Sequence, residues 1–163
     1  MDVALVAAWL GAASLTSLAV APAAFAVLPS RSMAGALVGR VLPAVFYSGI
    51  AVAVVDVALE RARPAASGHR ARLVSACAML VACAMAQLVV GPRIDRVRSS
   101  IPGAIESLAF DDPRRVLFGR LHALSVMWLG IAMLAAVVSI VLAARAGSAA
   151  SPPSVGRMFH GST

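Results

Sequence analysis

Four long apolar runs, separated by arginines and turn-forming residues, dominate the pattern of the chain. A bilayer core of about 30 Å needs roughly 20 helical residues at 1.5 Å rise each, and every run is of that order. The predicted spans cover residues 3–28, 38–59, 73–91 and 116–144. The pattern therefore predicts an all-α, polytopic membrane protein, a four-transmembrane-helix bundle within residues 1–146.

The third connection is extended and keeps a helical pattern. Its apolar residues Ile94, Val97, Ile101 and Ile105 recur at three- and four-residue spacing, with charged residues on the other face. We expect helix three to continue beyond the bilayer and to bend near Pro102-Gly103 into a short amphipathic piece at the membrane interface.

Helix four and the segment after it have recognisable boundaries. Asp112 followed by Pro113 is typical of a helix start, with an N-cap and then proline at the first helical position. Residues 147–163 are rich in serine, glycine and proline, which predicts a disordered C-terminal tail.

Composition narrows the class of protein. The chain has 163 residues, of which 61% are apolar and 13% charged, with a mean hydropathy of +0.91. These values exclude a disordered chain, a secreted disulfide scaffold and a nucleic-acid binder, so no nucleic acid is expected as a partner. The bilayer itself is the expected partner, and Cys77 and Cys83 are expected to be small buried hydrophobes.

All 14 basic residues are arginine, which gives a net charge of +7 at pH 7. An up-down order of the spans divides them into six at the end that carries the termini and eight at the other end. By the positive-inside rule, this slight excess favours termini outside the cytoplasm. The larger group is Arg31, Arg40, Arg93, Arg96, Arg98, Arg114, Arg115 and Arg120.

The first apolar run contains a small-residue segment, Ala21–Ala26, that resembles a signal-peptide cleavage site. Asp2 is the only charge before this run, whereas a secretory signal begins with a basic region. We therefore expect the segment to be retained as the first span of a multi-pass protein of the inner (plasma) membrane.

Small residues recur at every fourth position in two places. Ala78, Ala82 and Ala86 form such a row on helix three, and Gly35 and Gly39 form another at the entrance to helix two. Rows of this kind let helix backbones approach closely in lipid. They are also common in any alanine-rich membrane helix.

Polar residues converge at the arginine-rich end of the bundle, where Pro22, Pro43 and Pro92 also lie. A proline removes a helical hydrogen bond, and lipid offers no replacement partner for the freed carbonyl. We therefore expect a polar pocket between the helices at this end, which binds a small ligand, a lipid headgroup or a partner helix. Its predicted ligand-binding residues are Arg40, Arg93, Asp95, Arg120, His122 and Ser125.

Plainer interpretations apply to several of these side chains. Arg40 and Arg120 are also placed to extend to lipid phosphates, and His122 to be a hydrogen-bonded packing residue. Asp95 is spaced to pair with Arg98 on the helix surface. Asp56, near the opposite end of helix two, is expected either to extend to the surface or to pair with an arginine.

No catalytic signature is found in the sequence. It has no HExxH, GxSxG or P-loop motif and no paired carboxylates within a span, so we expect a non-enzymatic protein without a cofactor. Two alternatives stay open. One is a haem- or copper-binding redox protein that uses His122 with a methionine (Met79, Met85, Met127 or Met133), and the other is a small transporter that acts as a homo-oligomer.

Three blocks of the sequence together resemble a known family. They are Phe25–Leu28 with Ala34-Gly35 and Gly39–Phe46, then Gly91–Arg98, then Phe118–Ser125. In order and spacing they resemble the transmembrane protein 205-like family, whose bacterial members form a domain of unknown function. The resemblance implies a small four-span membrane protein without an assigned reaction.

Overall fold

Four long helices make up most of the computed structural model, which describes residues 2–63 and 68–149. They are α1 (Val3–Val27), α2 (Arg31–Ala62), α3 (His69–Ser99) and α4 (Pro113–Ala149). By length and composition, all four can cross a bilayer. The predicted all-α bundle with four transmembrane helices is confirmed.

Three of the four helices, α2, α3 and α4, are longer than the predicted spans, whereas α1 ends one residue earlier than predicted. Both α2 and α3 extend past residues 38–59 and 73–91 at each end. An apolar run in the sequence ends where arginines begin. The helix itself continues past that point into the headgroup zone, where guanidinium groups are solvated. α4 continues through Ala149, and the remainder of the predicted tail, residues 150–163, lies outside the described residues.

The third connection differs in part from its prediction. Helix α3 does continue, to Ser99, but the segment after it forms only one 3₁₀ turn, Ile105–Ser107. Gly103, at φ 112°, adopts a conformation that favours glycine and ends the helical path. At the start of α4, the Asp112 carboxylate accepts a hydrogen bond from the Arg114 backbone N–H at 2.8 Å, which confirms the predicted cap.

Each helix packs on two neighbours, so that the four form a ring. α1 and α3 both contact α2 and α4. Within the ring lies an apolar core of few large and many small side chains; it includes Trp9, Phe46, Met79, Cys83 and Leu129, together with Ala13, Ala53, Ala82, Ala86, Ala132 and Ala136. Because these alanines leave little volume between the backbones, the helices approach closely.

Both α1 and α3 continue through a proline without a break, and each contains a π-helical segment just before it. The segments are Thr16–Val20 before Pro22 and Met85–Val90 before Pro92. In α3 the Gly91 N–H donates to a carbonyl five residues earlier instead of four. The wider turn accommodates the proline, and π segments of this kind are frequent at functional sites.

Candidate functional site

A pocket of about 530 Å³ lies between the helices at the arginine-rich end of the bundle. Helices α2, α3 and α4 form most of its wall, and Phe25 and the third connection complete it. This volume is typical of sites for small organic ligands. The charged lining residues are Arg31, Asp95, Arg98, Glu106 and Arg115, and the uncharged polar ones are Ser32, Gln87, His122 and Ser125.

One face of α4 supplies a continuous stripe of this wall. Arg115, Phe118, His122 and Ser125 follow each other at three- and four-residue spacing. The Phe118 and His122 rings stack, with centroids 6.2 Å apart and an interplanar angle of 7°. The guanidinium carbon of Arg98 lies 5.7 Å from the Phe118 ring centroid. A cation, a phenyl ring and an imidazole thus follow one another along the pocket.

Arg98 also lies against the glycine face of α2. A Cβ atom at Gly35 would be 3.4 Å from its Nη2, and one at Gly39 would be 3.1 Å from its Nη1. The sequence predicted a close contact between helix backbones at these glycines. In the structure the nearest neighbour at both positions is the guanidinium, so the missing side chains make room for a cation.

Several polar side chains of the pocket have no hydrogen-bond or ion-pair partner within residues 2–63 and 68–149. They are Gln87, Arg98, His122 and Ser125. Ser125 is only 7% exposed. Gln87 and Arg98 are half-buried and His122 is exposed, so these side chains open onto the cavity and its solvent. A ligand that replaces this solvent must supply hydrogen bonds to them, because a polar group left unpaired on burial costs about 1–3 kcal/mol.

The structure divides the six predicted site residues into two sets. Asp95, His122 and Ser125 line the pocket. Arg40, Arg93 and Arg120 are exposed side chains outside its lining.

Three other arginines, Arg31, Arg98 and Arg115, line the pocket and were missed. For two of them, the helical spacing from other pocket-lining residues indicates that they face the pocket. Arg98 is seven residues from Gly91, and Arg115 is seven from His122, so each lies on the pocket-facing side of its helix.

The expected surface pair between Asp95 and Arg98 is wrong. No ion pair of Asp95 within 4.0 Å is present in the described part of the chain. The reason is the direction of the Arg98 side chain, which extends to α2 and to Phe118. Arg98 therefore does not pair with Asp95 on the surface of α3.

The third connection, which contributes Gly103, Ile105 and Glu106 to the pocket lining, is fixed to the helices at two points. The backbone N–H and hydroxyl of Ser32 donate to the Glu106 carboxylate at 3.1 and 2.6 Å. Arg115 Nη1 donates to the Leu108 carbonyl at 2.6 Å, and its guanidinium lies 4.0 Å from the centroid of the Phe110 ring. These contacts fix the pocket-lining part of the connection to α2 and α4.

The contact between Ser32 and Glu106 gives a pH prediction. The hydrogen bond from the Ser32 hydroxyl holds the pKa of the Glu106 carboxyl below its usual value of about 4.3. A lowered pKa means that the carboxylate stabilises the fold at pH values above the usual pKa. This contribution is lost as the pH falls through the lowered pKa.

We expect the backbone amide resonance of Ser32, followed by NMR in micelles, to shift with a midpoint below the usual glutamate pKa. In Ser32→Ala, the Glu106 carboxyl resonance should titrate closer to the usual value. A wild-type midpoint at or above that value would contradict the contact.

A second polar cluster lies at the opposite end of the bundle, around Glu60, which is 2% exposed. Arg72 Nε donates to both carboxylate oxygens at 3.1 Å, and Arg63 Nη1 donates to Oε1 at 2.6 Å. His69 Nδ1 lies 3.6 Å from Oε2. This network connects the end of α2 to the start of α3.

The hydropathy pattern does not indicate this cluster, because Glu60 and Arg72 fall just outside the predicted spans. One feature of the sequence does indicate a polar cluster: Asp56 and Glu60 are four residues apart and therefore lie on one face of α2. Asp56 is buried, 8% exposed, so it does not extend to the surface. Beside it, the hydroxyl groups of Ser75 and Ser139 are hydrogen-bonded at 2.7 Å and join α3 to α4.

In the described ranges, no three His, Cys, Asp or Glu side chains are grouped as ligands of a metal ion. The haem or copper alternative uses His122 with a methionine, which is a different ligand set, and it stays a prediction.

Residues 4–101 match the sequence profile of a family described as Domain of unknown function (DUF4149). The match includes α1, α2 and α3 and therefore two of the three helices that form most of the pocket wall. No curated protein and no solved structure matches the chain. The resemblance to the transmembrane protein 205-like family is not confirmed and stays a prediction.

Proposed function

The chain belongs to the DUF4149 family, whose function is unknown, and we propose that this integral membrane protein binds an amphiphilic anion in its interhelical pocket. It acts by binding, without catalysing a reaction. The observation that carries the proposal is the set of side chains around the pocket that find no polar partner among the described residues: Gln87, Arg98, His122 and Ser125.

Arg98 is the anion-binding group in this proposal. Guanidinium groups bind carboxylates and phosphates through paired hydrogen bonds, and such bonds are stronger than those between neutral groups. The Arg98 guanidinium rests on an aromatic ring and on a glycine face, both of which leave its N–H groups without an acceptor. An anion entering the pocket would supply that acceptor.

Two acidic side chains, Asp95 and Glu106, also line the pocket. The Glu106 carboxylate is occupied by the two hydrogen bonds from Ser32. Asp95 is exposed and forms no hydrogen bond or ion pair with Arg98. Three arginines, Arg31, Arg98 and Arg115, line the pocket against these two carboxylates, and this excess of positive charge favours an anion.

The apolar part of the wall favours a ligand that carries hydrocarbon as well as charge. Leu42, Pro43 and Phe46 of α2 face Ile94 of α3 and Phe118 of α4 across the pocket. Burial of apolar ligand surface against such side chains is favourable at roughly 25 cal/mol per Å². The proposal places the arginine-rich end on the cytoplasmic side of the inner membrane, where anionic lipids attract arginine side chains.

The test is the binding of decanoate to the protein in nanodiscs of zwitterionic phosphatidylcholine, measured by equilibrium dialysis against empty nanodiscs. We expect Arg98→Gln to weaken binding by about 10- to 100-fold, because hydrogen bonds to charged groups contribute about 1.5–3 kcal/mol. Decanol, which lacks the anion, should bind wild type and variant equally.

Arg93→Gln is the matched control, since Arg93 is exposed on the same helix and outside the pocket lining. Its affinity for decanoate should equal that of wild type. If Arg93→Gln and Arg98→Gln weaken binding to the same extent, the ligand associates with the surface arginines and the proposal is wrong.

A further inference from the structure

We infer that the ligand carries a second, uncharged group, a hydroxyl or a carbonyl, roughly 10 Å from its anionic end, and that Gln87 and Ser125 bind this group. The inference rests on the proposed function and adds to it the chemical class of the ligand.

The two ends of the pocket are separated along α4. Arg98 marks the anionic end, since its guanidinium lies over Phe118. Ser125 is seven residues further along the same face. At 1.5 Å rise per residue, it lies roughly 10 Å deeper in the bundle than Phe118.

The deep end carries two polar side chains, one buried (Ser125) and one half-buried (Gln87). Ser125 is 7% exposed, and its hydroxyl has no partner among the described residues. On α3, Gln87 belongs to the π-helical segment Met85–Val90, which packs against α4. Its amide also lacks a partner within the described ranges, and both side chains line the same pocket.

The chemistry of these two side chains defines the group that they bind. A hydroxyl and a carboxamide can each both donate and accept a hydrogen bond. They therefore suit a neutral hydroxyl or carbonyl and do not supply the charge that a second anion would require. A plain hydrocarbon end would displace water from both side chains without replacing its hydrogen bonds, and this costs free energy.

The middle of the pocket suits a hydrocarbon spacer. Leu42 and Phe46 line the pocket on α2, three and seven residues beyond Gly39, which lies beside the Arg98 guanidinium. The ligand class is therefore an anionic amphiphile with a polar group toward the far end of its chain.

The experiment compares two probes that differ only in that group, decanoate and ω-hydroxydecanoate, in the same nanodiscs. Wild type should bind ω-hydroxydecanoate about tenfold more tightly, which corresponds to one or two hydrogen bonds between neutral groups. In Ser125→Ala and in Gln87→Leu the preference, taken as the ratio of the two affinities in the same variant, should fall below about threefold.

Ser48→Ala is the matched control, because the Ser48 hydroxyl donates to the Val45 carbonyl of its own helix and lies outside the pocket lining. It should keep the full preference. Equal binding of both probes to wild type, or a preference that survives in Ser125→Ala and in Gln87→Leu, would overturn the inference. In either case a large effect of Arg98→Gln would still support the proposed function. Binding of both probes that is insensitive to Arg98→Gln, or no binding of either, would overturn both.

Discussion

Glu60→Gln is expected to lower the free energy of unfolding by about 3–5 kcal/mol, because it removes the negative charge opposite a buried arginine. Arg72 is 9% exposed and donates Nε to both oxygens of Glu60. Glutamine has nearly the same shape but leaves the Arg72 guanidinium without an anion there. Unfolding by SDS titration in nonionic micelles would measure the loss.

Two further variants make this prediction specific. Glu106→Gln removes an exposed carboxylate and should cost far less. Adding Arg72→Met to Glu60→Gln should recover part of the stability, since it removes the buried guanidinium that the first substitution leaves without its carboxylate. A loss for Glu60→Gln no larger than that for Glu106→Gln would mean that the network contributes little.

Gly49→Ala is expected to lower the free energy of unfolding by about 2–4 kcal/mol. The loss has two causes, overpacking of the core and weakening of the hydrogen bond from Trp9 to the Val45 carbonyl. A Cβ at Gly49 would lie 2.7 Å from Cys83 Sγ and 2.8 Å from Trp9 Nε1. Both neighbours are buried, and Trp9 Nε1 donates to the Val45 carbonyl at 2.9 Å. The methyl group would therefore force α1 and α3 away from α2, and the same SDS titration would show it.

Glycines elsewhere in the bundle provide the control for helix propensity. At Gly11 and Gly130, a Cβ would meet nothing within 4 Å. Gly11→Ala and Gly130→Ala should leave stability unchanged or raise it by up to about 1 kcal/mol, because alanine favours the helix. If Gly49→Ala were as stable as these two variants, the close contact among α1, α2 and α3 would not be present.

Part of the candidate site was predictable because it depends on position along the helices. The polar residues of the sequence converge at one end of the bundle, and the pocket lies there, lined by Asp95, His122 and Ser125. Which arginine enters the pocket depends instead on the rotation of each helix about its axis. Arg93 and Arg98 occupy the same stretch of α3, but only Arg98 faces α2 and α4.

The π segments also show the difference between what the sequence indicates and what helix packing decides. Prolines at positions 22 and 92 indicate a disturbed helix in the sequence alone. Whether the backbone breaks, bends or widens is decided by how the helix packs on its neighbours. In α3 it widens, and the widened turn contains Gln87, which lines the pocket.

By itself, the sequence determined the class of protein, the four membrane-spanning helices and the end of the bundle where polar groups gather. These features follow from the length and hydropathy of local segments, since a bilayer requires long apolar helices whatever their neighbours. Only the tertiary structure decided that Arg98 lies against the glycines of α2, that Glu60 pairs with Arg72, and that Ser125 faces a cavity. Those contacts join residues far apart in the chain, and they depend on the packing of one helix against another.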